Sequence, residues 1–252
     1  DKFGNNVLPM RVGLDVATIE DVMAVVEILS SRREYTKINP FVVLLGKGDH
    51  QITSSSAGPI FGTENATTLG VTRSNITFLG QGKDTTTVLG GFGIENQENI
   101  TFKQMTVTNT SNNGCVRVRN AKVELLDVAL KGCEGDALDI SESTSETTVV
   151  ATRCEFANSR FGAFVEGSLT SATFKNCIFN DNELDGIFVS TKATIHLHGE
   201  ATAIHSNRTT GICAYNSGKV IIHLPSHHNT SYNNNGQDRR TRTGGTITNV
   251  ED

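Results

Sequence analysis

Five short segments of the sequence carry the side chains best suited to binding chemistry, and each segment opens on glycine. They read GCVRV at 114–118, GDALDI at 135–140, GAFVEG at 162–167, GIFVST at 186–191 and GICAYN at 211–216. Apolar and polar residues alternate within them, as in a strand with one buried face, because successive side chains of a strand point to opposite sides. One side of each segment is therefore predicted to be interior and the other to face outward.

Aligning the segments on one interior column predicts which residues face outward together. The interior column is Val116, Leu138, Ala163, Ile187 and Ile212. The first outward column is then Arg117, Asp139, Phe164, Phe188 and Cys213, and the second is Arg119, Ser141, Glu166, Ser190 and Tyr215. Aromatic rings beside hydrogen-bonding groups suit a sugar chain, and arginine suits a uronate carboxylate. The glycan-binding candidates are Arg117, Arg119, Asp139, Phe164, Glu166, Phe188 and Tyr215. The alternative is an ordinary exterior, with a surface Arg117–Asp139 ion pair and the two phenylalanines under a loop.

Three histidines form a second candidate group. His196 and His198 lie two residues apart in TIHLH and face the same side, and His223 follows His198 by 25 residues. Three imidazoles at this spacing could ligate Zn²⁺. The alternative, which we favour from the sequence, is three outward histidines stacked by a repeat, with their rings splayed into solvent and no metal.

Acidic residues are concentrated in the stretch 124–146. They are Glu124, Asp127, Glu134, Asp136, Asp139, Glu142 and Glu146, against the single Lys131. Oxygen ligands of this kind suit Ca²⁺. The residues are spread along a long stretch, however, so a solvated acidic belt is the expected arrangement, with no cofactor.

A repeat is the main evidence for the fold. The sequence NITF occurs at 75–78 and again at 99–102, and the glycines at 162, 186 and 211 continue a spacing of about 24 residues. A unit of this length with two or three short strands cannot bury its own apolar face, but stacked copies can. The repeat therefore predicts an all-β, single-domain parallel β-helix of about eight coils. Cys154 and Cys177, one repeat apart, would stack in its interior or form a disulfide.

The ends of the predicted solenoid have their own signals. TIEDVMAVVEIL at 18–29 has Thr18 as an N-cap candidate and an apolar stripe of Val22, Val25, Val26 and Leu29, which predicts an N-terminal capping helix. We assign 1–40 to an N-terminal arm and this helix, 41–225 to the coils, and 226–252 to an irregular C-terminal coil or arm. The chain starts with Asp1, which we interpret as a processed end.

Composition narrows the range of partners. The net charge of −5 argues against nucleic acid, since phosphate binding favours a basic surface. No apolar run approaches the roughly 20 residues of a membrane span. We expect an extracellular or particle-associated protein.

Three stretches resemble the first coils of the pectin-lyase-like superfamily. They are TIEDV, VVLLGKGDHQI and ITFLGQGKDTTTVLGG, and TFKQMTVTNT at 101–110 is similar to a strand of pectin methylesterases. The resemblance implies a right-handed β-helix. It also implies an aspartate nucleophile, a second aspartate as acid and base, and glutamines at the oxyanion. Here Asp136 matches one aspartate, whereas the nucleophile position falls on Arg160, Phe161 or Gly162.

The other matched positions also depart from the esterase pattern. The glutamine positions fall on Gly114 or Cys115 and on Glu134 or Gly135. We therefore expect no esterase activity and no second carboxylate acting with Asp136. Uronate lyases of this superfamily use arginine or lysine as base with acidic residues holding Ca²⁺, and Arg117 or Arg119 beside Asp136 and Asp139 is similar to that set.

Two functional hypotheses follow from these residues. The first is a non-catalytic β-helix protein that binds glycan or serves as a structural component of an assembly. The second is a polysaccharide-modifying enzyme, a uronan lyase or epimerase, with Ca²⁺ as a possible cofactor of a lyase. The missing esterase residues favour the first hypothesis.

Overall fold

Two parallel sheets wind around one apolar core. The computed structural model describes residues 10–12, 18–53, 67–111, 114–223 and 230–250. Every pairing between the strands named below is parallel. The chain is therefore a parallel β-solenoid, as the repeat predicts, with about 7 turns where about eight coils were expected.

Within the described residues, sheet 1 contains eight strands, one from each successive coil. They are β4 (Thr68–Val71), β7 (Gly91–Glu95), β9 (Val116–Arg119), β11 (Leu138–Ile140), β14 (Ala163–Glu166), β17 (Ile187–Ser190), β20 (Thr210–Ala214) and β23 (Gln237–Thr241). The outward columns predicted from the sequence lie on this sheet.

Sheet 2 contains sixteen strands and covers the other two walls of the solenoid. Its main path is β1 (Met10–Arg11), β2 (Phe41–Leu44), β5 (Ile76–Leu79), β8 (Ile100–Thr108), β10 (Lys122–Lys131), β12 (Thr147–Thr152), β15 (Thr170–Lys175), β18 (Thr194–His198), β21 (Lys219–His223) and β24 (Thr246–Val250). The third wall is completed by β3 (Gly48–Gln51), β6 (Thr86–Leu89), β13 (Glu155–Ala157), β16 (Ile178–Asn180), β19 (Ala203–His205) and β22 (Ser231–Tyr232).

The repeated NITF motif forms adjacent rungs of sheet 2. Ile76 pairs with Ile100, and Phe78 pairs with Phe102, whose ring it stacks on at 5.1 Å. Asn75, the first residue of the first copy, has a left-handed φ of 62° that asparagine tolerates better than most residues. The spacing of the repeat is thus one turn of the solenoid.

The predicted capping helix is confirmed as α1 (Ile19–Ser30). Thr18 and Asp21 form a capping box, in which the Asp21 amide donates to Thr18 Oγ1 at 3.3 Å. The helix buries Ile19, Val22, Met23 and Val26 in the core, while Val25 of the predicted stripe is half-buried. In the part of the chain that the structure describes, no helix is long and apolar enough to cross a membrane.

The C-terminal region differs from the irregular coil or arm expected for 226–252. Within it, the described residues 230–250 form β22, β23 and β24, which pair in parallel with β19, β20 and β21. The polar composition of these strands is compatible with pairing because most of their side chains are exposed or half-buried. Backbone hydrogen bonds extend both sheets here, although the sequence has no apolar column that would predict these strands.

A column of buried and half-buried asparagines joins the third wall to sheet 1. Asn182 Nδ2 donates to Asn207 Oδ1 at 2.9 Å, and Asn207 Nδ2 donates to Asn234 Oδ1 at 2.8 Å. Each of these side chains also donates to a backbone carbonyl on the preceding coil, as Asn207 does to Phe179 at 3.1 Å. This asparagine ladder satisfies backbone groups at a corner where strand pairing is interrupted.

Three of the glycines that open sheet 1 segments, Gly162, Gly186 and Gly211, are required by this ladder. A Cβ at Gly186 would lie 2.7 Å from Asn207 Nδ2 and 2.9 Å from the Gly211 carbonyl oxygen. Gly162 and Gly211 face the ladder in the same way, with their added Cβ atoms 2.9 Å from Asn182 Nδ2 and 2.6 Å from Asn234 Nδ2. Close approach to the amides, rather than an unusual φ, thus explains the repeated glycine.

The substitution Gly186→Ala tests this packing. We expect it to lower the free energy of unfolding by about 1–3 kcal/mol, as overpacking does. Gly46→Ala is the matched control, because a Cβ there meets nothing within 4 Å, and its effect should stay within about 0.5 kcal/mol. Chemical denaturation of both variants measures the difference, and equal effects would contradict the close packing of the ladder.

Candidate functional site

The register of sheet 1 brings the predicted outward columns together. Asp139 pairs with Arg117 and with Phe164, Phe164 pairs with Phe188, and Phe188 pairs with Cys213. In the second column Glu166 pairs with Ser190. The seven glycan-binding candidates therefore share one outer face, which we call the outer strip. Their alignment is as predicted, and their role in binding stays a prediction.

An ion pair lies at the N-terminal end of the outer strip. Arg117 Nε donates to Asp139 Oδ2 at 2.9 Å, and Ser141 Oγ donates to Asp139 Oδ1 at 3.1 Å. Asp139 is only 9% exposed, so this pair is partly buried rather than a solvated surface pair. Arg119 lies 3.9 Å from Glu95 of the preceding coil. Both predicted arginines are thus held against carboxylates.

Aromatic rings occupy the centre of the outer strip. The rings of Phe164 and Phe188 are 5.2 Å apart and nearly parallel, and Tyr215 follows Phe188 at 6.3 Å. Phe161, which sequence reasoning did not place here, is buried and lies 5.6 Å from both phenylalanines. The two strip phenylalanines are half-buried and Tyr215 is exposed. The strip therefore has an apolar centre that is accessible from one side.

Asp136 lies beside the ion pair in an environment that disfavours its ionised form. Burial, and then the charge of Asp139, raise the pKa of Asp136 to about 6, although Arg160, the Phe161 amide and Arg117 oppose the shift. Its Oδ1 atom is buried and has no hydrogen-bond partner. The expectation that no second carboxylate acts together with Asp136 stays a prediction, and Asp139 influences Asp136 through its charge.

Two further groups on this face are perturbed. Burial, Glu142 and Asp139 raise the pKa of Glu166. Burial and the charge of Asp185 raise the pKa of the Cys213 thiol to about 11, so this thiol stays protonated at neutral pH. Cys213 is therefore not a nucleophile of the strip, whereas carboxyl groups in it can change protonation in the acidic to neutral range.

Arg160 and Phe161 extend the candidate site beyond the sequence prediction. The guanidinium carbon of Arg160 lies 5.4 Å from the centre of the Phe161 ring, and Arg160 is exposed. Both residues lie in the turn between β13 and β14. The alternation of inward and outward residues along a strand does not predict the side-chain directions of a turn. One sequence signal could have indicated them, because both are among the residues that align with the nucleophile position of pectin methylesterases.

The three histidines converge, contrary to the expectation of splayed rings. His196 Nδ1 lies 3.0 Å from His223 Nε2, and the rings of His198 and His223 stack at 3.9 Å. All three are half-buried, and burial together with the charge of His223 lowers the pKa of His196. The rings converge because His198 and His223 lie on neighbouring rungs and their side chains pack on each other rather than extending into solvent.

The acidic residues of 124–146 are dispersed around the coil, but they do not form the uniformly solvated belt that was expected, because Asp139 is buried. Asp127 pairs with Arg153 at 2.7 Å, and this pair lowers the pKa of Asp127. Glu146 lies 3.8 Å from Lys122. Among the residues that the structure describes, the histidines are the one group of three or more potential ligands close enough to share an ion.

The cysteines pair differently from the disulfide considered for Cys154 and Cys177. These two are buried free thiols on adjacent coils, which agrees with the interior stack. Cys115 and Cys133 form a disulfide with a separation of 18 residues in sequence. Neither cysteine fits the 23-residue spacing, so the repeat did not indicate this bridge.

The family of the chain follows from a family model. The model described as "Right handed beta helix region" matches residues 51–201. The chain belongs to the right-handed β-helix family. Membership of this family agrees with the right-handed β-helix and with the pectin-lyase-like superfamily that the sequence resemblance implies. No curated protein matches the sequence significantly.

Solved structures similar to this β-helix protein share its fold at low identity. The A-module of mannuronan C-5 epimerase AlgE6 from Azotobacter vinelandii is 10% identical with a TM-score of 0.56, over 95% of this chain and 77% of that chain. Pectin methylesterase PemA from Erwinia chrysanthemi is 11% identical with a TM-score of 0.52, over 98% and 94%. ORF18 of Geobacillus virus E2 is 11% identical with a TM-score of 0.50, over 84% of this chain. The β-helix protein spans about half (53%) of the length of ORF18.

The raised pKa of Asp136 predicts a specific pH dependence of stability. Between about pH 4 and pH 6 the folded state keeps a proton that the unfolded state has lost, so stability falls as pH rises through this range. Asp136→Asn should therefore be more stable than the native protein at about pH 7.5, by roughly 1–3 kcal/mol, and equally stable near pH 4. Urea denaturation at both pH values measures this. Parallel stability curves for the two proteins would contradict the burial of an ionised Asp136.

Proposed function

We propose that the outer strip binds a polysaccharide chain that contains acidic sugars. The observation that carries this proposal is the combination of stacked, partly accessible aromatic rings with arginines on one outward face. Phe164, Phe188 and Tyr215 form the apolar centre, Arg117 lies at one end of it, and Arg160 lies over the neighbouring Phe161 ring. Aromatic rings offer apolar area to sugar C–H groups, and guanidinium groups pair with carboxylates.

The dimensions of the outer strip agree with a chain-like ligand. Neighbouring rungs of a β-sheet are about 4.8 Å apart, so the four steps from Arg117 to the Tyr215 coil cover roughly 19 Å. A single small molecule would use only part of this length. A run of several sugars could contact the arginines and the aromatic rings at the same time.

The structural neighbours make acidic polysaccharides the first ligands to test. Two of them are named for mannuronan and pectin, and another pectin methylesterase structure is titled as a complex with a hexasaccharide. The identities of 10–12% support the fold alone, so the choice of ligand rests on the arginines and rings of this chain.

An assembly role remains compatible with glycan binding. One neighbour is a viral protein, and a rigid rod with one sugar-binding face is suited to a surface or particle component. We therefore propose an extracellular or particle-associated position, where polysaccharides are encountered. The assembly partner would be recognised elsewhere on the rod.

Asp136 supports a second candidate function, proton abstraction from a uronate. A carboxyl group with a pKa of about 6 can act as a base near neutral pH, and its Oδ1 is without a hydrogen-bond partner. Arg117 or Arg160 would stabilise the negative charge that develops on the sugar carboxylate after the proton leaves. The reaction class would be uronan lyase or epimerase.

Binding is tested with two exposed residues of the site, Tyr215 and Arg160. Tyr215→Ala and Arg160→Ala should each weaken binding of alginate or polygalacturonate oligosaccharides by roughly three- to tenfold, as loss of one aromatic or charged contact does. Calorimetry measures the affinity. Arg117→Ala is a poorer test, because it would leave the nearly buried Asp139 without its ion-pair partner and destabilise the fold.

Matched controls lie on other walls of the solenoid. Tyr232→Ala removes an equally outward tyrosine that stacks on His205, and Arg153→Ala removes an exposed arginine paired with Asp127. Both controls should leave the affinity unchanged. If they weaken binding as much as the strip variants do, or if no acidic oligosaccharide binds, the proposal is wrong.

The proton-abstraction candidate has a separate test. Lyase activity on several uronans is followed by ultraviolet absorbance of the unsaturated product, and epimerase activity by NMR. Any activity should be lost in Asp136→Asn, which retains the shape of the side chain but cannot accept the proton. Oligosaccharide binding without turnover in the native protein would refute the catalytic candidate and leave the binding proposal standing.

A further inference from the structure

A cluster of three imidazoles on sheet 2 is not used by the proposed function. His196 and His198 lie on the same side of β18, and the register of β18 with β21 continues to place His223 opposite His198. The outer strip lies on sheet 1, so the cluster belongs to a different wall of the solenoid. Nothing in the binding of a glycan to the strip requires it.

The histidine nitrogens are already close together. His196 Nδ1 and His223 Nε2 are 3.0 Å apart, and one nitrogen of each of the three rings lies within 4.8 Å of the others. The side chains are half-buried, which restricts their rotamers before any ion binds. A set of ligands whose positions are restricted in advance loses less side-chain entropy on binding.

These distances are near those that a tetrahedral ion requires. Two nitrogens bound to Zn²⁺ at about 2.0–2.1 Å are about 3.3 Å apart. The His196–His223 pair would therefore widen by about 0.3 Å, and the His198 nitrogen would move by about 1.5 Å at most. Small rotations about the side-chain torsions provide such shifts. His198 must rotate out of its stacking contact with His223 so that both lone pairs point to one ion.

We propose that His196, His198 and His223 form a binding site for a divalent transition-metal ion, with Zn²⁺ as the best match. Imidazole nitrogens suit Zn²⁺, Ni²⁺ and Cu²⁺, whereas Ca²⁺ and Mg²⁺ require oxygen ligands. Three protein ligands leave the fourth tetrahedral position to water or to a small ligand, which is the pattern of reactive rather than purely structural zinc sites. The ion would also join two successive coils near the C-terminal end.

The neighbours of the cluster affect its affinity. Lys175 pairs with His198 from the preceding coil and is exposed, so its ammonium group opposes a cation nearby. Thr173 and Ile221 pair with His196 from either side and carry no charge. Replacing the lysine by methionine should therefore raise the affinity for Zn²⁺, an effect that a merely structural histidine stack would not produce.

Metal binding is tested by titrating the whole protein with zinc chloride in a calorimeter. We expect one Zn²⁺ per chain, and no heat from calcium chloride. His196→Ala and His223→Ala should each weaken zinc binding by roughly 100-fold, because two remaining imidazoles hold the ion poorly. Cobalt chloride provides a spectroscopic test, since the absorption of a tetrahedral Co²⁺ site is intense and should disappear in the same variants.

Controls separate this site from other histidines. His205→Ala removes an outward histidine of β19 that stacks on Tyr232, and zinc binding should be unchanged. His227→Ala together with His228→Ala removes two histidines in 224–229, outside the described residues, and should also leave binding unchanged.

Thermal unfolding provides a second readout that does not depend on calorimetric heats. Zinc should raise the melting temperature of the native protein but not that of His223→Ala, because an ion that binds only the folded state stabilises it. The proposal is overturned if zinc does not bind, if the His196 and His223 variants bind it as well as the native protein, or if the 227–228 variant loses it.

Discussion

The asparagine ladder is the interaction on which the remaining structure depends. Each buried amide accepts from and donates to the amides and backbone groups of neighbouring coils, so a coil that is too long or too short at this corner leaves polar groups unpaired. Glycine must follow on sheet 1 because any Cβ would collide with the amide. The ladder thus sets the register in which inward residues meet inward residues. The same register aligns the outward residues of the strip.

Two coils carry another residue at the ladder position: Ser159 lies in the coil before Asn182, and Cys133, which forms a covalent bond, lies in the coil before Ser159. The Cys133 N–H donates to Ser159 Oγ at 3.1 Å rather than to an asparagine side-chain oxygen, and the Cys133 side chain is bonded to Cys115. A disulfide closing a loop of about this length contributes on the order of 3 kcal/mol through the unfolded state. The bridge therefore offsets the loss of ladder hydrogen bonds at this coil.

The alternation of residues along strands and the spacing of the repeat predict the parts of the molecule whose register the asparagine ladder sets. The interior column from Val116 to Ile212, the outward columns and the capping helix could all be derived from the sequence, because a parallel register repeats them coil after coil. The position of Arg160 and the burial of Asp136 could not, since both lie in turns whose path depends on local packing. The approach of His196 to His223 depends on side-chain torsions, which spacing along the chain does not determine. The regular strands of the final coil could not be predicted, because they have no apolar column and pair through the backbone.

Asp136 belongs to the candidate site and also lies in the coil that carries the disulfide. Ionising a half-buried carboxyl group without a partner for Oδ1 costs stability, and such a cost is tolerated only where the surrounding structure is held by other interactions. Asp136 follows Cys133 by three residues, in the coil that the disulfide bonds to its neighbour. In a solenoid each coil contacts only its neighbours, so strain in one coil must be balanced locally. The disulfide therefore holds the same turn that carries the destabilised carboxylate, next to the Arg117–Asp139 ion pair.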